Sequence, residues 1–326
     1  MSCVQNVDNW NKKNRLFVSV VMKNIGPFKL YTKRPNDIRY GKIYTMEVKL
    51  PILYSKKRIV RVYLPEDFDK NKKYPVLFMA DGQNIVDKYT SAFGAWDIDV
   101  HEHHLIKKGY RSFIVVGIDC PYNPMHRALE YSFPFMRMDP KEEGKELSSS
   151  NLKFESHLLY KYIALELLPL IREHFPIEED KKYVGAGGSS MGGIFSLSLV
   201  MSYPDLFGYG LVFSPGIFLY SDKKVKKYFD ESLPNLSDHK FYFYSGNQGF
   251  ESKFLRRTVD AYKYFQKNGF KDNVALLKDL EADHNEASWS KHFEEAIKFW
   301  LNKKAWWPFL FILWSTFWTY SLLVLR

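Results

Sequence analysis

Apolar residues fall along this chain into short continuous runs, separated by longer stretches with helical spacing. The runs are Ile59–Leu64, Val76–Ala80, Phe113–Ile118, Tyr183–Ala186, Leu211–Phe213, Phe241–Tyr244 and Val274–Leu277. Short, rich in β-branched and aromatic residues and bounded by turn residues, they predict buried strands. Between them, Leu158–His174 places Leu159, Ile163, Leu167 and Ile171 at fourfold spacing. Gly193–Ser202, Phe254–Lys267 and Ser288–Trp300 follow a similar rule, so all four predict helices. Strands alternating with helices require crossovers. The expected fold is therefore α/β, with a mostly parallel central sheet and helices on both faces. The segment around Tyr44–Leu64 has strands without helices and predicts an antiparallel N-terminal edge. Met138–Lys153 is charged and serine-rich and reads as a long surface loop.

Composition narrows this picture. The chain has 326 residues, 46% of them hydrophobic, enough for one large core. We divide it into an N-terminal extension (1–41), a catalytic-type domain (42–302) and a hydrophobic tail (303–326). Two cysteines, Cys3 and Cys120, exclude a disulfide framework or a cysteine-rich zinc site. The net charge of +10 invites a nucleic-acid reading. The lysines, however, come as scattered pairs, as at Lys56-Lys57 and Lys226-Lys227, which is the pattern of a solvated surface; no nucleic-acid partner is expected. The N-terminus lacks the pattern of a secretory signal. From Ala305 to Leu325 no residue is charged, and a helix of that length spans about 30 Å. Lys303 and Lys304 precede it, and Trp306, Trp307 and Trp318 lie near its ends. Residues 305–325 are thus a candidate membrane contact, with the main domain on the cytoplasmic side. Pro308 and four hydroxyl residues count against insertion.

The chemistry begins at Gly188-Ser189-Ser190-Met191-Gly192, which fits G-x-S-x-G. The pentapeptide follows a predicted strand and opens a predicted helix, as a nucleophile elbow requires. A serine at such a turn holds its hydroxyl out on strained backbone, and side chains at Gly188 or Gly192 would collide with the turn. The helix N-terminus beyond it supplies an N–H for a developing oxyanion, expected from Met191. His284, just after the strand Val274–Leu277 and before a helix, is the candidate general base. His126, His157, His174, His239 and His292 lack such a loop. His101, His103 and His104 form a HEHH cluster, read as a surface helix because adjacent histidines diverge and no carboxylate beyond Glu102 has metal spacing. Glu251 is the only carboxylate in the loop after Phe241–Tyr244 and is the candidate acid. Asp283 adjoins His284 and ranks lower; a Ser–His dyad stays open. Asp81-Gly82-Gln83-Asn84 follows Val76–Ala80, and Gly82 or Gln83 is expected to give a second oxyanion N–H.

Six segments carry a family resemblance. They are Tyr74 to Asn84 (YPVLFMADGQN), Trp96 to Asp99 (WDID), Val115 to Asp119 (VVGID), Arg127 to Tyr131 (RALEY), Gly188 to Gly193 (GSSMGG) and His284 to Trp289 (HNEASW). In this order, across about Lys42 to Trp300, the chain resembles the esterase D group of α/β-hydrolases, with enterobactin-type and feruloyl esterase relatives. The resemblance implies an α/β-hydrolase fold, a Ser190 nucleophile, a His284 base and a cofactor-free, metal-free esterase acting on a small-molecule ester. It places the acid in a short loop, which here is longer by about two residues and ends in Glu251-Ser252. Trp96, Arg127 and Trp289 are candidates for the substrate-binding cleft wall. For Arg127 the plain alternative is a pair with Glu130, and for Trp289 it is core packing. Two other functions stay in view: acyl transfer from the same acyl-enzyme, and a catalytically silent, membrane-tethered binding domain.

Overall fold

Val76–Ala80 shows why the apolar runs become central strands. Successive side chains of an extended chain point to opposite faces. Val76, Phe78 and Ala80 enter the core on one face of the sheet; Leu77 and Met79 enter the core on the other. All five are buried, so a run apolar at every position fits a strand covered on both sides. Ile114, Val116 and Ile118 alternate with Val115 in the same way.

The computed structural model describes residues 28–31, 38–91, 94–139 and 153–301. Nine strands form one sheet: β1 (Lys29–Leu30), β2 (Lys42–Lys49), β3 (Lys57–Leu64), β4 (Val76–Ala80), β5 (Ile114–Ile118), β6 (Val184–Ser189), β7 (Tyr209–Phe213), β8 (Lys240–Gly246) and β9 (Val274–Asp279). Their order is β1-β2-β3-β5-β4-β6-β7-β8-β9. Pairing is antiparallel from β1 to β5 and parallel from β5 through β4 to β9. The described helices of the α type are α1 (Ile98–Lys107), α2 (Pro124–Glu130), α3 (Ser156–Tyr162), α4 (Leu168–His174), α5 (Met191–Ser202), α6 (Asp222–Ser232), α7 (Ser252–Lys267), α8 (Glu286–Ser290) and α9 (Phe293–Trp300). This is the α/β-hydrolase architecture, with the antiparallel N-terminal edge.

Three local differences from the sequence pattern have physical causes. Residues Lys29 and Leu30, inside the N-terminal extension, pair with Thr45 and Tyr44 and so lengthen the sheet. The stretch Leu158–His174 is not one regular helix: a π turn, Ile163–Leu167, separates α3 from α4. Pro169, near the start of α4, lacks the N–H that an unbroken α-helix needs there. Ser288–Trp300 is divided between α8 and α9 at Lys291 and His292, both of which turn back to the Asp279 carboxylate (2.9 and 2.8 Å). No helix among the described residues is long and apolar enough to cross a membrane. Residues 305–325, the candidate membrane contact, lie outside the described residues.

Candidate active site

β6 delivers Ser190 to the C-terminal edge of the parallel strands. It sits between β6 and α5 with φ 59° and ψ −121°, a left-handed setting that a serine adopts only under constraint. The constraint is visible. Ser190 N–H donates to Phe213 O (3.0 Å), while Ser190 O accepts from Gly193 and Gly216 N–H (3.0 and 3.1 Å). A Cβ on Gly188 would lie 2.6 Å from Gly192 O, and one on Gly192 would lie 3.1 Å from Ala80 Cβ. Serine is among the best helix caps, yet the Ser190 side chain makes no capping hydrogen bond. Its hydroxyl is not consumed by the helix it precedes. Met191 is the first helical residue, so its N–H has no acceptor within α5.

β8 and β9 carry the base and its partner. The Glu251 carboxylate is fully buried, and its Oε2 accepts a short hydrogen bond from His284 Nδ1–H. Oε1 accepts from Ser214 Oγ–H, from Ser245 Oγ–H (3.0 Å) and from Gly246 N–H (2.9 Å). With Nδ1 donating, neutral His284 presents a lone pair at Nε2. The imidazole is walled by rings: Phe254 stacks on it at 4.2 Å, and Trp289 and Phe250 stand edge-on at 4.9 and 5.4 Å. The loop that looked two residues too long has a use for its length. Asn247 and Gln248 both donate their N–H to Ala282 O (3.2 and 3.0 Å), tying the acid loop to the base loop. Beyond β9, Lys291 and His292 hydrogen-bond Asp279 and hold its carboxyl down to about 2, closing the base loop from the other side.

Ser214, which no motif in the sequence marks, joins the two halves. It follows β7 with φ 42°, and its N–H donates to Tyr244 O (2.7 Å). Its hydroxyl donates to Glu251 and accepts from Trp289 Nε1–H (3.0 Å). The segment from Phe213 to Gly216 therefore touches the elbow through its backbone and the acid through one side chain. The only sequence trace is a Ser214-Pro215-Gly216 turn at a strand end, which does not reveal where the hydroxyl goes.

The loop after β4 lies beside the elbow, since a Cβ on Gly192 would come 3.2 Å from Asp81 Oδ2. Gly82, Gln83 and Asn84 form a single 3-10 turn there. The Gln83 side chain is anchored on Cys120, donating to Sγ (3.2 Å) and accepting from the backbone N–H (3.0 Å). Burial, with Asp81 nearby, pushes the Cys120 thiol up to about 12, so it is no thiolate nucleophile at neutral pH.

The cleft-wall expectation needs correction for the two tryptophans. Trp96 is 1% exposed and Trp289 4%. The two indoles stack at 6.1 Å, and Trp96 also meets Phe213 and Phe293. They back the site from within the core, because burying such large rings there is worth more than leaving them in water. Arg127 does not pair with Glu130, which instead binds Arg58. Its guanidinium forms a two-pronged bond with Asp81, Nε to Oδ1 at 2.7 Å and Nη2 to Oδ2 at 2.8 Å, which commits one edge of the guanidinium and leaves the side chain about a quarter exposed.

Comparison with known proteins shows the family. Residues 54–300 match the family described as "Putative esterase". The chain belongs to this esterase family. It is a carboxylic ester hydrolase of the α/β-hydrolase type. The esterase is 21% identical over 251 residues to the Bacillus subtilis (strain 168) protein YbbA, covering 74% of this chain and 92% of that one. Among solved structures, siderophore hydrolase EstA from Aspergillus nidulans superposes with a TM-score of 0.61 at 14% identity, over 84% of this chain and 98% of that one. The ferulic acid esterase AmCE1/Fae1A from Anaeromyces mucronatus, in complex with ferulic acid, gives 0.58 at 18% identity, over 84% and 96%. At these identities the structural likenesses show the fold.

Proposed function

We propose that this esterase is a serine carboxylesterase that cleaves a small-molecule ester through an acyl-enzyme on Ser190. The observation that carries the reading is the His284 imidazole, held at Nδ1 by a fully buried carboxylate in a loop network tied to the Ser190 elbow. Ser190 Oγ attacks the ester carbonyl while His284 Nε2 takes its proton. Glu251 stabilises the imidazolium that forms. The Met191 N–H, with Gly82 or Gln83 from the loop after β4, receives the negative oxygen. His284 then protonates the leaving alkoxide, and a water activated by the same imidazole releases the acid and restores Ser190. The exposed Phe250 ring beside His284 gives the leaving group an apolar neighbour.

The test is Ser190→Ala together with active-site labelling. The variant should lose on the order of 10⁴–10⁶ in kcat against p-nitrophenyl esters. A fluorophosphonate should label the natural chain once, at Ser190. Turnover above about a tenth of the natural rate in a variant with a normal melting curve, or labelling at another residue, would refute the assignment.

A further inference from the structure

Helix α1 spreads its HEHH cluster in three directions. Glu102 points inward and accepts from Phe113 N–H (2.6 Å). His103 stacks on Tyr40 at 3.7 Å and meets Glu66 (2.6 Å). His101 and His104, one helical turn apart, share a face and meet Glu294 of α9. The distances to Glu294 Oε1 are 3.5 Å from His101 Nδ1 and 3.2 Å from His104 Nδ1. Ligand atoms of all three residues lie within 4.8 Å of one another. Adjacent histidines do diverge, as the sequence implies, but His101 and His104 converge, and the carboxylate absent from the local sequence comes from a helix near the other end of the domain.

The hydrogen bonds around His101 fix its tautomer. Ser290 has one hydroxyl proton, and it goes to Trp96 O (2.9 Å). The 2.8 Å contact between Ser290 Oγ and His101 Nε2 is therefore donated by the ring. Neutral His101 then aims a lone pair from Nδ1 at another acceptor, Glu294 Oε1. Nδ1 is buried and has no hydrogen-bond partner. Two lone pairs facing each other repel unless a cation, either a proton shared with Glu294 or a metal ion, sits between them. The two histidine–carboxylate distances suit a metal ion: ligands about 2.0–2.1 Å from a tetrahedral ion stand about 3.3–3.4 Å apart. The outer nitrogen of His101 is held by Ser290, as metal-bound histidines are usually held. Lys108 and Lys298 approach Glu294 from the other side, at Oε2 (2.7 and 3.5 Å), leaving Oε1 to the histidines.

We propose that His101, His104 and Glu294 form a site for a divalent first-row ion, Zn²⁺ above all, that clips α1 to α9. Two imidazoles and one carboxylate are a donor set suited to zinc, with water in the fourth position. The half-exposed His104 opens that position to solvent. The two lysines oppose the ion's charge and hold its affinity below that of a dedicated zinc cage. The clip is separate from the ester chemistry, which uses none of its residues.

The experiment uses the full chain, stripped with a chelator and titrated with ZnCl₂ by calorimetry and with CoCl₂ by visible absorption. The expected result is one equivalent bound and the intense spectrum of tetrahedral Co²⁺. His104→Ala, at a half-exposed side chain, and Glu294→Gln should each weaken binding by about tenfold or more in chains that melt like the natural one. His284→Ala should leave the equivalent in place. Lys108→Ala should tighten binding, because it removes a cation competing for Glu294; in a purely ionic cluster it could only loosen the helices. Binding below a tenth of an equivalent, an octahedral Co²⁺ spectrum, unchanged affinity in His104→Ala, or loss of the equivalent in His284→Ala would overturn the proposal.

Discussion

Replacing Glu251 by glutamine changes one atom and, on this structure, should disable the base. The Oε1 side of the carboxylate receives three donors, from Ser214, Ser245 and Gly246, and the Oε2 side receives one, from His284. Three donors outvote one, so the amide oxygen of Glu251→Gln stays with the three and its NH₂ turns to His284. There it confronts Nδ1–H. The imidazole escapes the clash by moving its proton to Nε2, which then cannot accept one from Ser190. The expected loss is about 10³–10⁴ in kcat, or about 4–5.5 kcal/mol of transition-state stabilisation. KM should barely move, because Glu251 is fully buried and cannot touch substrate. All four hydrogen bonds to the carboxylate lose their charge assistance, partly offset by the lower cost of burying a neutral amide, so Tm should fall by several degrees while the chain stays folded. The assay is initial rates on a p-nitrophenyl ester, beside a thermal melt and beside Asp283→Asn, whose exposed side chain predicts no more than a small effect. A loss under about tenfold in Glu251→Gln, with Tm near the natural value, would show that His284 works without the carboxylate.

Other predictions follow from neighbouring contacts. Trp289→Phe keeps a ring against Trp96 but removes the Nε1–H bond to Ser214, so kcat should drop about tenfold while the thermal melt stays close to that of the natural chain; an unchanged kcat would show that Ser214 needs no such support. Gly188→Ala puts a methyl group 2.6 Å from Gly192 O, and the chain should lose activity and several degrees of Tm together; a melt like the natural chain's would contradict the crowded elbow. Burial, with Asp81 nearby, pushes the Glu286 carboxyl up to about 7. The folded state therefore keeps a proton that the unfolded chain releases near its ordinary value, and stability from this group falls as pH rises from about 4.5 to 7. Glu286→Gln should remove that loss, so its stability advantage over the natural chain should grow between about pH 5 and pH 8, by at most about 3 kcal/mol, and be read as a growing Tm difference. A constant difference across that range would refute the assignment.

Strands were legible because both faces of the sheet are covered: β4 reads as five apolar residues in a row, and all five are buried. The elbow was legible because strain forces glycine on its neighbours, which leaves a mark in the letters themselves. What escaped notice were pairings between distant segments. Ser214 reaches Glu251 across 37 positions, and Asn84 reaches Glu286 across 202. Nothing local in the FSPG turn or in HNEASW announces these partners. Trp96 and Trp289 misled for the opposite reason. A large aromatic residue near a functional motif looks the same in sequence whether it faces the ligand or stands behind the residues that do. The break between α8 and α9 depends on Asp279 in β9, again a partner supplied by the fold.

The sheet order has a bearing on how the enzyme fails. β9 ends the sheet, pairs only with β8 and is half-exposed along most of its length, and the His284 loop hangs from it. Edge elements with few buried contacts open at lower free energy than the central strands. Ser190, in contrast, is set in the middle of the molecule, where β6 lies between β4 and β7. Turnover is thus a gauge of the margin rather than of the centre. In a denaturant series, catalysis should vanish while most of the strand signal persists, and a ligand that bridges the His284 loop to the elbow would protect the rim of the molecule far more than its heart.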